Sequence, residues 1–133
     1  MTVERINPDE LARPSGFSHA VSVTERRLVF LAGQIGIDRD GDVASGGVVA
    51  QFEQALANVL TALRAAGGEP DHLASLTIYI TDVEDYQAHG KEIGAAWRKL
   101  AGTEYPAMAG VGVTRLWVPE ALVEIQGIAA VSR

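Results

Sequence analysis

The sequence predicts an α+β domain in the order β-β-α-β-α-β-β, with two helices on one face of a mixed sheet of five or six strands. Three observations lead there. Phe52, Leu56, Val59 and Leu63 recur at i, i+4, i+7 and i+11 and so line one stripe of a helix. Leu76, Ile78 and Ile80 alternate with Thr77, Tyr79 and Thr81, the pattern of a strand with two differently used faces. The 133 residues, 47% hydrophobic and 21% charged, suit a single domain (1–133) with a core of its own.

In chain order, residues 1–15 read as irregular because Pro8 and Pro14 resist regular structure. Strands are expected over 19–23 and 28–37. The short polar link 24–27 between them suggests an antiparallel hairpin. The cluster Asp38-Arg39-Asp40-Gly41-Asp42 reads as a turn. Ser45-Gly46-Gly47 opens a helix to about Ala66, which Gly67-Gly68 stops and Pro70 keeps from resuming. After the alternating strand, Asp82 is a plausible N-cap for a second helix over 83–100. Tyr86, Ile93, Trp97 and Leu100 form its inward stripe, and Gly102 lies just past its end. Two final strands, 107–116 and 122–131, are joined through Pro119.

Two helices cover one face of such a sheet. The other face keeps apolar or small residues as well, in 76–80 and 123–131, and an uncovered apolar face usually marks an interface. Self-association is therefore expected from the residues alone. Along the last two strands, Met108, Gly110 and Gly112 are expected to share a surface with Glu124 and Gln126. Val111, Val113, Val123 and Ile125 then face the helices.

The composition narrows the chemistry. There is no cysteine, which excludes disulfides, thiolate nucleophiles and zinc-thiolate sites. A net charge of −6 repels polyphosphates, so nucleic acid is not expected as a partner. Arg26-Arg27, the clearest basic pair, reads as a charged turn. No apolar run approaches the ~20 residues of a membrane span, and residues 1–8 lack a signal pattern, so a cytoplasmic location is expected.

His19, His72 and His89 have neither i, i+4 spacing nor companion ligands, so no metal site is expected. No serine sits in a Gly-x-Ser-x-Gly turn. Gly46-Gly47 offers free N–H groups but lacks the lysine of a phosphate loop. Glu124 stands out: it interrupts the apolar strand Leu122-Val123-Glu124-Ile125-Gln126, where an uncompensated buried carboxylate is costly. It is either paired or solvated for structural reasons, or it holds water in a cleft between subunits.

Five stretches in series resemble the Rid family of reactive-intermediate deaminases, also called the YjgF family. They are Gly16-Phe17-Ser18-His19-Ala20, Phe30-Leu31-Ala32-Gly33-Gln34-Ile35-Gly36, Ala50-Gln51-Phe52-Glu53-Gln54-Ala55-Leu56-Ala57-Asn58, Ile78-Tyr79-Ile80-Thr81-Asp82, and Tyr105-Pro106-Ala107 continuing to Val123-Glu124-Ile125. The resemblance implies a chorismate-mutase-like fold and a homotrimer with small-molecule clefts between subunits. It also implies a cofactor-free hydrolysis of enamines or imines to ammonia and a keto acid. By the same resemblance Gly33 presents backbone to the ligand and Glu124 positions water, in a pocket that includes Phe17, Ala32, Gly90, Met108, Gly110 and Gln126.

The departures from the family pattern all run one way. Met108 replaces the arginine that grips a substrate carboxylate, Phe17 a tyrosine, Ala32 a serine, Gly90 an asparagine and Gly110 a cysteine. A bidentate arginine contributes charge-assisted hydrogen bonds of ~1.5–3 kcal/mol each, and methionine contributes none. The expected pocket is more apolar and poorly suited to small imino acids. The alternatives are a trimeric binding protein without turnover and, more weakly, the ribonuclease activity attached to some family members.

Overall fold

The computed structural model describes residues 2–132, and its core is organised by helix α1 (Gly47–Ala65). The helix enters through Gly46 and Gly47, both at positive φ, which glycine adopts without strain. Phe52, Leu56, Leu60 and Leu63 on its inner stripe are each at most 1% exposed, and burying each such side chain contributes ~1.5–3 kcal/mol. They pack on the four-stranded sheet ordered β3 (Arg27–Ile35), β6 (Val123–Val131), β4 (Leu73–Ile80) and β5 (Ala107–Gly112). β6 is antiparallel to both neighbours, and β4 runs parallel to β5, so the sheet is mixed. Two polar side chains of α1 tie the helix to the loops around it. The buried Gln51 accepts from the Leu122 N–H (2.8 Å) and donates to the Glu120 carbonyl (3.2 Å). Asn58 donates to the carbonyls of Ile35 (3.1 Å) and Ile37 (2.8 Å).

The N-terminal part differs from the sequence reading. Residues 2–6, read as irregular, form β1 (Thr2–Ile6), which pairs antiparallel with β2 (Ala20–Thr24) as a separate two-stranded ribbon. The prolines that suggested irregularity lie beyond the end of β1. The expected hairpin between β2 and β3 is absent, because the chain is anchored at opposite edges of the sheet. Ser18 donates its N–H to the Pro106 carbonyl (2.9 Å) and its hydroxyl to the Tyr105 carbonyl (2.7 Å), and bridges Ala107 beside β5. Arg27 pairs with Val131 in the far edge strand. The three strand spacings between those edges come to ~14 Å. The 18–27 segment, at ~3.3 Å per residue, spans that easily by crossing the end of the sheet. The main sheet is consequently four-stranded rather than five- or six-stranded.

The second helix is broken. α2 (Val83–Ala88), capped by the Asp82 carboxylate accepting from the Asp85 N–H (3.0 Å), ends at His89, and α3 (Gly90–Ala101) begins anew. The His89 N–H still donates to the Asp85 carbonyl (3.2 Å) and its ring contacts the same oxygen (2.9 Å), but the backbone leaves helical geometry at His89 (φ −107°, ψ 20°), and Gly90 after it is a weak helix former. α3 packs against α1 through Ile93, Ala96 and Trp97.

Strand β5 stops at Gly112, short of the expected Leu116, and its register reverses the face assignment. Ile78 pairs with both Gly110 and Ile125, while Tyr79 pairs with both Val111 and Glu124. Met108, Gly110 and Gly112 therefore lie on the helix-covered side with Val123 and Ile125. Val111 shares the open side with Glu124 and Gln126. No helix among the described residues is long and apolar enough to cross a membrane.

Candidate functional site

On the open face, β3 and β6 shift register between Leu31 and Gln34, leaving Ala32 and Gly33 in a bulge. Such bulges re-aim side chains and admit close approaches. The Glu124 carboxylate occupies that space: a Cβ on Gly33 would come within 2.9 Å of its Cδ. Glu124 is half-buried, and no described group hydrogen-bonds or ion-pairs with its carboxylate. Beside it the Tyr79 hydroxyl donates to Gln126 Oε1 (3.1 Å), fixing the amide on the same surface. A carboxylate left this way is served by water, because removing it from water without a partner is costly.

On the opposite side of the sheet, a cavity of about 330 Å³ opens between β4, β5 and the α2–α3 pair. Met108 and Gly90 both line it, as do Ser15 and Gly16 next to Phe17. Its walls are aromatic. Phe52 meets Tyr86 edge-to-face at 6.1 Å, and Trp97 stacks on Tyr105 at 5.9 Å. Burial pushes the Tyr86 phenol up to about 12, so it stays neutral and available as a donor. The Trp97 indole Nε1 is buried with no acceptor among the described residues. Arg98 supplies the cavity's positive charge. A larger hollow, about 640 Å³, is formed within the single exposed stretch 7–14 and gathers no convergent side chains from elsewhere in the fold.

The residues singled out from the sequence thus divide in two. Gly33, Glu124 and Gln126 gather on the open face, with Ala32 exposed beside them; Met108 and Gly90 gather in the cavity behind the sheet. Gly110, exposed on β5, faces Ile80, and a Cβ there would lie 3.6 Å from Ile80 Cδ1. Phe17 is half-buried against the His19 ring (5.2 Å, edge-to-face). Glu124 and Met108 therefore do not share a cleft within one chain. The sequence reading missed Tyr86, Trp97, Arg98 and Tyr105 as pocket residues. A signal was present in the i, i+4, i+8 series Gly90, Gly94 and Arg98, which places a bare helix flank beside a cation.

The histidines are each engaged locally. His19 Nε2 contacts the Ala12 carbonyl (2.7 Å), His72 Nδ1 accepts from the Glu69 N–H (2.9 Å), and His89 holds Asp85. They do not converge on one point as an acid–base pair would.

The family model described as Endoribonuclease L-PSP matches residues 8–131. A curated relative, the 2-iminobutanoate/2-iminopropanoate deaminase of Capra hircus, is 32% identical over 115 residues, covering 85% of this chain and 78% of the relative. The solved structure of YyfB of Yersinia pestis, a protein of the conserved Rid family, superposes with a TM-score of 0.87 at 33% identity, over 98% of this chain and 100% of that one. The yeast protein YEO7 covers a similar share (99% and 100%) at 27% identity, with a TM-score of 0.69.

Proposed function

Because the chain belongs to the endoribonuclease L-PSP family, to which the Rid proteins belong, we propose that it is a cofactor-free imine and enamine hydrolase of altered substrate range. In this reading it works as a homotrimer in the cytoplasm. The open face of one copy closes over the cavity mouth of the next, so that Glu124 and Gly33 of one subunit meet Met108 and Gly90 of its neighbour. The observation that carries the reading is the half-buried Glu124 carboxylate, without a partner among the described residues and lying over the bare Gly33. Such a group is suited to hold water and take its proton.

The chemistry balances without a cofactor. Water adds to the carbon of a C=N bond while Glu124 accepts its proton and returns it to the nitrogen. The resulting carbinolamine then expels ammonia and leaves a carbonyl; an enamine first takes a proton on carbon to become the imine. The goat relative's name, an iminobutanoate and iminopropanoate deaminase, supports this reaction class. The lining supports a changed substrate, because Met108 brings no charge where a carboxylate would be gripped and the aromatic walls favour a bulkier apolar body.

The test is ammonia release from imines generated in situ. The smallest imino acids are expected to turn over at least about tenfold more slowly than with an arginine-bearing relative. Glu124→Gln should abolish release from every substrate without changing the oligomer. Equal rates on small imino acids, or full activity in Glu124→Gln, would refute the reading. Saturable binding without turnover of any imine would favour a binding protein, the second reading that the aromatic cavity supports.

A further inference from the structure

The cavity behind the sheet carries a cation that the family-like positions do not supply. Arg98 lines it from the last turn of α3, and its Nη1 lies 3.3 Å from where a Cβ on Gly94 would stand. The absence of a side chain at Gly94 lets the guanidinium lie along the cavity wall. Its neighbour Lys99 is spent on Glu53 (3.2 Å), whereas Arg98 has no acceptor among the described residues. Behind it the cavity wall is formed by the stacked rings of Trp97 and Tyr105. A cation exposed at the edge of an aromatic cavity is complementary to a molecule with an anion at one end and an apolar ring or branched chain behind it.

We infer that this pocket binds a small carboxylate with an aromatic or bulky apolar body, its carboxylate held by Arg98 of α3 and its body by the Trp97 and Tyr105 wall. Arg98 is thus the specificity-determining residue that stands in for the charge absent at Met108. The inference deepens the proposed function by naming the substrate class of the same pocket, but the binding it describes does not require turnover. A cavity of about 330 Å³ lies at the small end of ligand sites, ~300–1,000 Å³, and suits a molecule of amino-acid size. A guanidinium offers two parallel donors to a carboxylate, which an amide cannot match.

Trp97 is its own reporter. In the full chain carrying Trp117→Phe, which removes the 91%-exposed second tryptophan, indole emission comes from the pocket alone. Titration with 3-phenylpropanoate should give a saturable change. The neutral 3-phenylpropanamide should bind at least about tenfold more weakly, and propanoate, which lacks the body, should also be weak. Arg98→Gln should erase the preference for acid over amide, and Arg98→Lys should restore part of it. Gly90→Phe, which fills open space in the cavity, should abolish binding. Equal affinity for acid and amide in the parent, unchanged affinity in Arg98→Gln, or wild-type binding in Gly90→Phe would overturn the inference. Arg98-dependent binding with no ammonia released from any imine would sink the catalytic reading and leave this one standing. Turnover of a bulky imino acid that is indifferent to Arg98→Gln would do the reverse.

Discussion

Two glycines three residues apart in the β3 region separate a functional constraint from a structural one. At Gly33 the three atoms nearest an added methyl all belong to the Glu124 side chain, whose flexible end can swing aside. At Gly36 it would lie 2.6 Å from the Gln51 carbonyl oxygen and 2.7 Å from its Cα, atoms fixed inside α1. Gly33→Ala should therefore fold with near-wild-type stability while displacing the Glu124 carboxylate and cutting turnover. Gly36→Ala should lose ~1–3 kcal/mol from overpacking. Chemical denaturation of both variants, beside an ammonia assay, checks the contrast; equal stability losses would mean the two close approaches are alike. At this scale the sequence was informative where a residue contradicts its surroundings. A carboxylate inside an apolar strand announces itself, and Glu124 does so. Arg98 does not, because a basic residue near a helix C-terminus is ordinary and only the fold brings it to a cavity.

Among the elements, those with a strong internal period were legible: the stripe of α1, the alternation of β4 and the Asp82 cap of α2. Those set by distant anchors were not. The link between β2 and β3 has the composition of a hairpin turn, and only the attachment of Ser18 beside β5 sends the chain across the sheet end. The facing of β5 was lost for a different reason. Ala107, Ala109, Gly110 and Gly112 are all small, so alternation carries almost no signal about which side is inward. The break between α2 and α3 falls at one histidine, and the ring contact made there is testable. The Asp85 carbonyl that holds His89 Nδ1 raises the ring's pKa above the usual 6.5; partial desolvation opposes this, and the Asp85 and Glu92 carboxylates reinforce it. A raised pKa means that the stabilising contribution is fully present below the unfolded value and is lost as pH rises through the folded one. The difference in melting temperature between wild type and His89→Ala should be largest in mild acid and shrink as pH climbs past neutrality. Asp85→Asn should lower the His89 midpoint followed by NMR, and a midpoint unchanged in that variant would remove the carboxylate from the account.

In the proposed reading, the single chain does not hold the whole site. Glu124 and Gly33 lie on the open face and Met108 and Gly90 in the cavity on the other side of the sheet, so the proposed site needs a second copy to bring them into one cleft. The open face is also the one no helix covers among the described residues. Phe30 is 74% exposed there, paired across the strands with the half-buried Ile128, and Leu28 beside it is 50% exposed. Among the described residues the nine-residue β3 pairs only with β6, leaving its other edge without a strand neighbour. A long edge strand that carries exposed aromatic and aliphatic side chains is a liability in a monomer and an asset in an interface. Sedimentation equilibrium is therefore expected to give three copies of 14.1 kDa, about 42 kDa. Phe30→Glu should convert that species to monomer while leaving the fold intact, because Phe30 lends little to the core of its own subunit. The same variant should lose turnover although both Glu124 and the cavity remain in every chain, since neither half is complete alone. A Phe30→Glu protein that stays trimeric would place the interface elsewhere. One that becomes monomeric but still releases ammonia at the wild-type rate would show that a single subunit holds the whole site, and the two-sided arrangement of Glu124 and Met108 would need another explanation.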